Sequence, residues 1–410
     1  MSPETNNMRR WIAIIALPLV PLPWILLRIA GFHLDPVQAT VLSGLSIFAA
    51  AFLLSWAAEV AQLDISPSLA IAVLALIAVL PEYAVDMVFA WKAGKDPTYA
   101  HYAVANMTGS NRLIIGVAWA LVVILYWWKT KKNFVRIESS YISALIVLML
   151  STLYSFIIPW KRTITSIDGI ILFSFFIAYI YMAMKQKVEE PELEGPPATI
   201  AMAPRAMRRL ITVSIFLYSA LAIYLSAEPF AEGLIHIGKT YGIEEFLLVQ
   251  WLAPLASESP EFIVAAIFAL KGNPGTSLGT LVSSKVNQWT LLVGLLPIVF
   301  CISSGRIHPL NLDPRQVEEV FLTSAQSALA ISMLLDRKVT LFEAAILFGL
   351  FSAQLFFNTP ESRHMFSYIY LFMTAVVLVK QLRTGGYNWF NALARLMKRN
   401  AKEARDRSGK

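Results

Sequence analysis

The chain alternates long apolar runs with short polar or basic breaks from end to end. Runs of about 18 or more apolar residues can cross the hydrocarbon core of a bilayer as helices. The pattern predicts helices over about 11–30, 38–62, 68–92, 99–127, 139–158 and 164–186. A polar stretch centred on VEEPELEGPP follows, and then helices over about 209–238, 246–271, 276–303, 315–335, 340–357 and 364–382. The expected fold is an all-α polytopic membrane protein with about 12 transmembrane helices. The segment NWFNALARLMKRN near the C-terminus reads as a basic amphipathic helix lying on the membrane surface.

Composition agrees with the pattern. Residues are 57% hydrophobic and 15% charged, with a mean hydropathy of +0.60, whereas a soluble domain carries about 25% charged residues. The net charge of +7 would suggest nucleic acid in a soluble protein. Here the basic residues cluster in loops beside the spans, so the bilayer is the expected partner and nucleic acid is not. A lone Cys301 excludes an intramolecular disulfide and a multi-cysteine metal site. The first apolar run follows Arg9-Arg10 but lacks a small-residue cleavage site, so it is expected to stay as a span.

Lysine and arginine bias sets orientation. Lys129, Lys131, Lys132 and Arg136, then Lys185, Lys187, Arg205, Arg208 and Arg209, then Arg337 and Lys338, all fall on one side of a twelve-span topology. Lys161-Arg162 and Lys92/Lys95 count against the bias. Both termini are expected in the cytoplasm, with the protein in the cell (inner) membrane.

Two segments repeat. In LPEYAVDMVFAWKAGKDP, the residues Pro81, Glu82, Val85, Phe89, Ala90 and Lys92 recur in SPEFIVAAIFALKGNP as Pro260, Glu261, Val264, Phe268, Ala269 and Lys271. The topology threads the first copy outward and the second inward, an inverted pair of the kind that forms midplane sites in transporters. An ionised group at mid-membrane costs about 2.5–3.5 kcal/mol on insertion scales. Glu82, Asp86, Glu258 and Glu261 therefore need protons, partners, water or cations. Proline also frees a carbonyl of the preceding turn. Carboxylate and carbonyl oxygens together are the hard ligands that Ca²⁺ prefers. The bland alternative for one copy is a proline kink with a protonated glutamate; matched offsets in two copies weigh against it.

Each copy leads into a helix with a polar middle, YAVANMTGSNRLIIG and LGTLVSSKVNQWTLLVG. Small and hydroxyl residues there let helices approach closely. Asn111 and Asn287 carry amide oxygens that need partners at mid-span.

Pro81-Glu82 with Gly109-Ser110-Asn111, and Pro260-Glu261 with the Ser283–Asn287 run, resemble the α-repeats of the cation/Ca²⁺ exchanger superfamily, which includes sodium/calcium and proton-coupled exchangers. The likeness covers about 68–127 and 246–303. It implies two five-helix repeats of inverted topology with extra helices at both ends, and Glu82 and Glu261 as the main cation ligands. Asn111, Ser110, Asn287, Ser257, Glu258, Ser284 and Asp86 join them as candidates. The implied division is 1–36 extra helix, 37–186 first half, 187–208 cytoplasmic loop, 209–360 second half, 361–384 extra helix and 385–410 basic tail.

The sequence departs from the family's Gly-Thr-Ser-x-Pro-Glu. Ile77-Ala78-Val79 has lost both hydroxyls, and Ala256-Ser257-Glu258 keeps one and gains an acid. Aligning Ser283-Ser284 with Gly-Ser puts Lys285 where the family has Asn or Asp; aligning through Asn287 is the other option. Lys285 is expected to act as an internal cation or proton carrier paired with Glu258, Glu261 or Asp86, against the alternative that it snorkels to an interface. Asp86 lies one turn after Glu82, and Ala265 stands at its place in the second copy. Glu59, Glu228, Glu232, His101 and His236 read as membrane-edge residues.

The expected function is secondary antiport of Ca²⁺ or another cation for Na⁺ or H⁺ by alternating access, without a cofactor. A cation channel is the second reading. An intramembrane metal-dependent hydrolase is the third, lacking a His-rich or Asp-rich motif in any span. No Gly-x-x-x-x-Gly-Lys-Ser/Thr loop supports ATP-driven pumping.

Overall fold

A computed structural model describes residues 13–32, 34–65, 79–185, 193, 195–357 and 359–383. The first part of the third expected span, the centre of the VEEPELEGPP loop and the amphipathic tail lie outside the described residues. The chain is almost wholly helical. In order come α1 (Ala13–Ile29), α2 (Pro36–Ala61), α3 (Leu80–Ala93), α4 (Pro97–Thr130), α5 (Ser139–Lys161) and α6 (Ser166–Met184). After a short helix, Pro196–Ala201, follow α7 (Arg205–Tyr241), α8 (Glu245–Lys271), α9 (Pro274–Ser304), α10 (Pro314–Met333), α11 (Leu341–Phe356) and α12 (Pro360–Arg383).

Eight described helices are long and apolar enough to cross a membrane: α2, α4 to α9 and α12. α1 and α11 are shorter. α10 is helical where expected but too polar to count on composition. It buries Gln316, Glu318, Glu319 and Gln326. Two of those acids are neutralised inside the protein: Arg112 meets Glu319 at 2.6 Å, and Arg363 meets Glu318 at 2.8 Å. A helix walled in by other helices tolerates polarity that a lipid-facing one does not.

Local chemistry sets the helix starts. Asp35 accepts the Val37 N–H ahead of Pro36, which fills the first turn of α2. α6 opens with a reciprocal capping box between Thr165 and Asp168, and α11 opens with the same device between Thr340 and Glu343. Before each box an arginine is left-handed, Arg162 at φ 57° and Arg337 at φ 62°. Four tiny strands accompany these turns: β1 (Phe134–Arg136), β2 (Thr163–Ile164), β3 (Leu310–Asn311) and β4 (Lys338–Thr340). β1 pairs antiparallel with β4, and β2 with β3. Each ladder therefore joins the loop before α5 or α10 to the loop after the other.

α2 and α7 lie against each other along much of their length. Ser226 bonds Ser46 at 2.9 Å at their crossing. At the end of α2, Asp64 accepts hydrogen bonds from Arg208 at 2.8 and 3.0 Å and from Arg209 and Arg205 at 3.1 and 3.3 Å. Those guanidiniums, Arg208 first, hold its carboxyl down to about 2.

Candidate cation site

Pro81 and Glu82 open the described part of α3. In the second copy α8 runs through Pro254 and Pro260. Hydroxyls there turn back to carbonyls of the previous turn: Ser257 lies 3.3 Å from the Ala253 oxygen, and Ser259 bonds that of Leu255.

Four groups from four helices meet at the centre. The Ser110 hydroxyl of α4 bonds both Glu82 of α3 and Glu258 of α8. The Gln288 Nε2 of α9 donates to Glu82 Oε2 and to Glu258 Oε1, each at 2.8 Å. All four are buried. Glu258 Oε2 and Gln288 Oε1 have no hydrogen-bond partner among the described residues. Glu261 stands to one side, half-buried, and accepts the Ser284 hydroxyl at 2.6 Å. It remains within electrostatic range of Glu82 and Glu258.

Lys285 is fully buried beside this group. Its ammonium donates to Asn111 Oδ1 at 2.6 Å and to the Asn111 carbonyl at 3.1 Å, and lies 4.4 Å from the centre of the Trp289 ring. This corrects the expected pairing with a carboxylate. Gln288 and Ser110 already occupy the inner faces of Glu82 and Glu258, so the ammonium turns to the amide and the ring.

The two partner helices share an irregularity. α4 widens into a π-turn at Ile114–Trp119 and α9 at Gln288–Leu292. In both, the π-turn begins four residues after the serine that bonds a repeat glutamate, Ser110 or Ser284. Asn111 and Lys285 are then equivalent positions, and they touch. The matched π-turn positions favour the alignment through Ser283-Ser284 over the one through Asn287.

The other candidates are placed as follows. Asp86 accepts from Asn106 Nδ2 at 2.8 Å, one turn from Glu82. The Asn287 carbonyl accepts the Tyr83 hydroxyl at 3.2 Å. Glu59 accepts from Ser55 at 3.4 Å, and Glu228 and Glu232 hold Lys92 at 2.9 and 2.7 Å. Gln288 and Asn106 escaped the reading of the sequence. Each stands four residues from a repeat serine and thus on its helical face, a signal the sequence did contain. Among the described residues no group of three or more His, Cys, Asp or Glu is arranged to hold a metal. The central oxygens are two carboxylates plus neutral donors.

With this geometry in hand, comparison with known proteins is direct. The family described as sodium/calcium exchanger protein matches residues 36–185 and 211–359. The crystal structure of the H⁺/Ca²⁺ exchanger CAX is 42% identical, with a TM-score of 0.91 over 95% of this chain and 99% of that one. Native YfkE, at 16% identity, has a TM-score of 0.60 over 82% and 97%, and speaks for the fold alone. CaxA of Alkalimonas amylolytica, which carries the name of an antiporter, is 24% identical over 253 residues, 58% of this chain and 72% of its own.

Proposed function

The chain belongs to the sodium/calcium exchanger family, and we propose that it exchanges Ca²⁺, or another cation, for H⁺ or Na⁺ by alternating access at Glu82, Glu258 and Glu261. It is a secondary antiporter and an integral membrane protein, not an enzyme. The observation that carries the reading is the meeting of Glu82 and Glu258, from two different helices, on one Gln288 nitrogen, with acceptor oxygens left over. Two carboxylates so placed repel each other until a cation or protons intervene. Neutral oxygens of Ser110, Ser284 and Gln288 complete a hard-ligand set, with Ser257, Asn111 and Asn287 behind it. A cage with few charges suits cargo that must leave again.

In this reading the two halves, 37–186 and 209–360, are inverted repeats within about twelve spans. The matched π-turns, left-handed arginines, capping boxes and crossed ladders support that arrangement. Basic loops on one side support cytoplasmic termini in the cell membrane. H⁺ is the favoured counter-ion. The hydroxyls before Pro81 are replaced by Ala78 and Val79, and the 42% identical relative is an H⁺/Ca²⁺ exchanger. Lys285 sits at the position equivalent to Asn111 and holds it, acting as a resident positive charge in place of a bound ion.

The test is flux in proteoliposomes with Ca²⁺, Na⁺, K⁺ and pH gradients imposed singly. Ca²⁺ uptake should follow an outward H⁺ gradient and fall steeply in Glu82→Gln. Downhill cation leak without counter-flux would mean a channel and end the antiport reading.

A further inference from the structure

α3 and α4 are antiparallel neighbours, and two polar rungs join them. Ser110 to Glu82 is the first. Asn106 to Asp86 is the second, one turn along each helix on the same side. The second rung is buried as deeply as the first, with Asp86 and Asn106 0% and 1% exposed. It is also incompletely bonded. Asn106 Nδ2 donates to Asp86 Oδ1, while Asp86 Oδ2 and Asn106 Oδ1 have no donor among the described residues. A buried acceptor without a donor is destabilising, the more so on a charged group. Both vacancies are acceptors on one acid–amide pair. A single hydrogen on the acid fills both, because a carboxylic acid and a primary amide can exchange two hydrogen bonds in a closed ring.

We propose that Asp86 and Asn106 form a proton site separate from the cation cage, with the proton on Asp86 Oδ2 donated to Asn106 Oδ1 while Asn106 Nδ2 donates back. The proposal rests on the antiport reading in making this proton the counter-ion. Loading forms one O–H bond with a proton taken from water on one side. Release breaks that bond and returns the proton to water on the other, with no change in oxidation state. Glu82 and Tyr83 on the same helix are the ionisable groups within electrostatic range of Asp86. From α8, Glu258 faces Ser110 and Gln288, and Glu261 faces Ser284. From α9, Lys285 is held by Asn111. Farther along α3, Lys92 is engaged by Glu228 and Glu232 of α7, and Tyr102 of α4 lies against Phe89. None of these cations pairs with Asp86. The second copy has no such rung: Ala265 replaces the acid, and its carbonyl accepts Ser277 at 2.6 Å.

Infrared spectroscopy of the full chain, with aspartate side chains labelled with ¹³C, tests this without a substitution. At neutral pH the label should shift one carbonyl band of a protonated carboxylic acid. The other described aspartates are ion-paired or bonded to N–H groups. Absence of that band overturns the proposal. Asp86→Asn should lower the protons leaving per Ca²⁺ entering by one while Ca²⁺ self-exchange persists. An unchanged ratio also overturns it. If the wild type moves no Ca²⁺ under any gradient, the antiport reading fails, whatever the infrared band does.

Discussion

The two copies share a framework and spend their extra acid differently. The first places Asp86 one turn after Glu82; the second places Glu258 three residues before Glu261. Glu258 thereby reaches the centre and shares Ser110 and Gln288 with Glu82. Asp86 moves away from the centre to Asn106. The partner helices diverge at one equivalent position, Asn111 against Lys285, and there the two side chains bond each other. A shared scaffold of prolines and π-turns thus allows single substitutions to decide where charge sits. The close pair is Glu82 with Glu258, rather than the two matched glutamates Glu82 and Glu261.

The sharpest way to break this comparison is to neutralise each glutamate in turn. Glu82→Gln and Glu258→Gln should each reduce Ca²⁺ flux roughly a hundredfold, the equivalent of about 3 kcal/mol for a buried charge partner. Glu261→Gln, at the half-buried flank, should cost less. Equal losses at all three in a reconstituted flux assay would restore the symmetric pairing.

Next in size is the packing difference. Gly109 lies so close to α8 that an added Cβ would stand 1.8 Å from the Gln250 carbonyl oxygen. The second copy has Ser283 at the equivalent place, with its Cβ already accommodated. Gly109→Ala should therefore destabilise by about 1–3 kcal/mol or more, read as a lower thermal transition in detergent. Ser283→Ala should leave that transition near wild type.

Lys285→Asn makes the two partner helices alike. Ion coupling or its pH dependence should change by a few-fold, measured as charge moved per Ca²⁺. Identical coupling in Lys285→Asn and Lys285→Ala would remove the resident-cation role.

The smallest effect belongs to Asp64. Its folded carboxyl titrates near 2, below an unfolded aspartate. The stabilisation it gives is complete above about pH 4 and fades as pH falls through about 2. Asp64→Asn should cost about 1 kcal/mol at neutral pH, since two of the three arginine partners are exposed to screening water. It should also flatten the acid limb of a melting-temperature curve between those values.

Much of this was legible before any coordinates. Hydropathy gave the helices, because lipid demands long apolar runs. The paired Pro-Glu segments pointed to the candidate site, because mid-membrane acids need a reason. What stayed hidden depended on register and on burial by protein. The Lys285–Asn111 contact joins two helices distant in sequence, and no local pattern marks it. Gln288 and Asn106 are uncharged, so neither stood out, although both sit one turn from a flagged serine. α10 is too polar for lipid, and only its arginine partners on α4 and α12 explain its place.

The crossed ladders have one more consequence. Among the described residues, β1 pairs with β4 and β3 with β2, each across the polar break between α6 and α7. A gene cut inside that break would yield two fragments, each with open strand edges and half a cage. Expressed alone, each should be lost to proteolysis; expressed together, they should reassemble into a working whole.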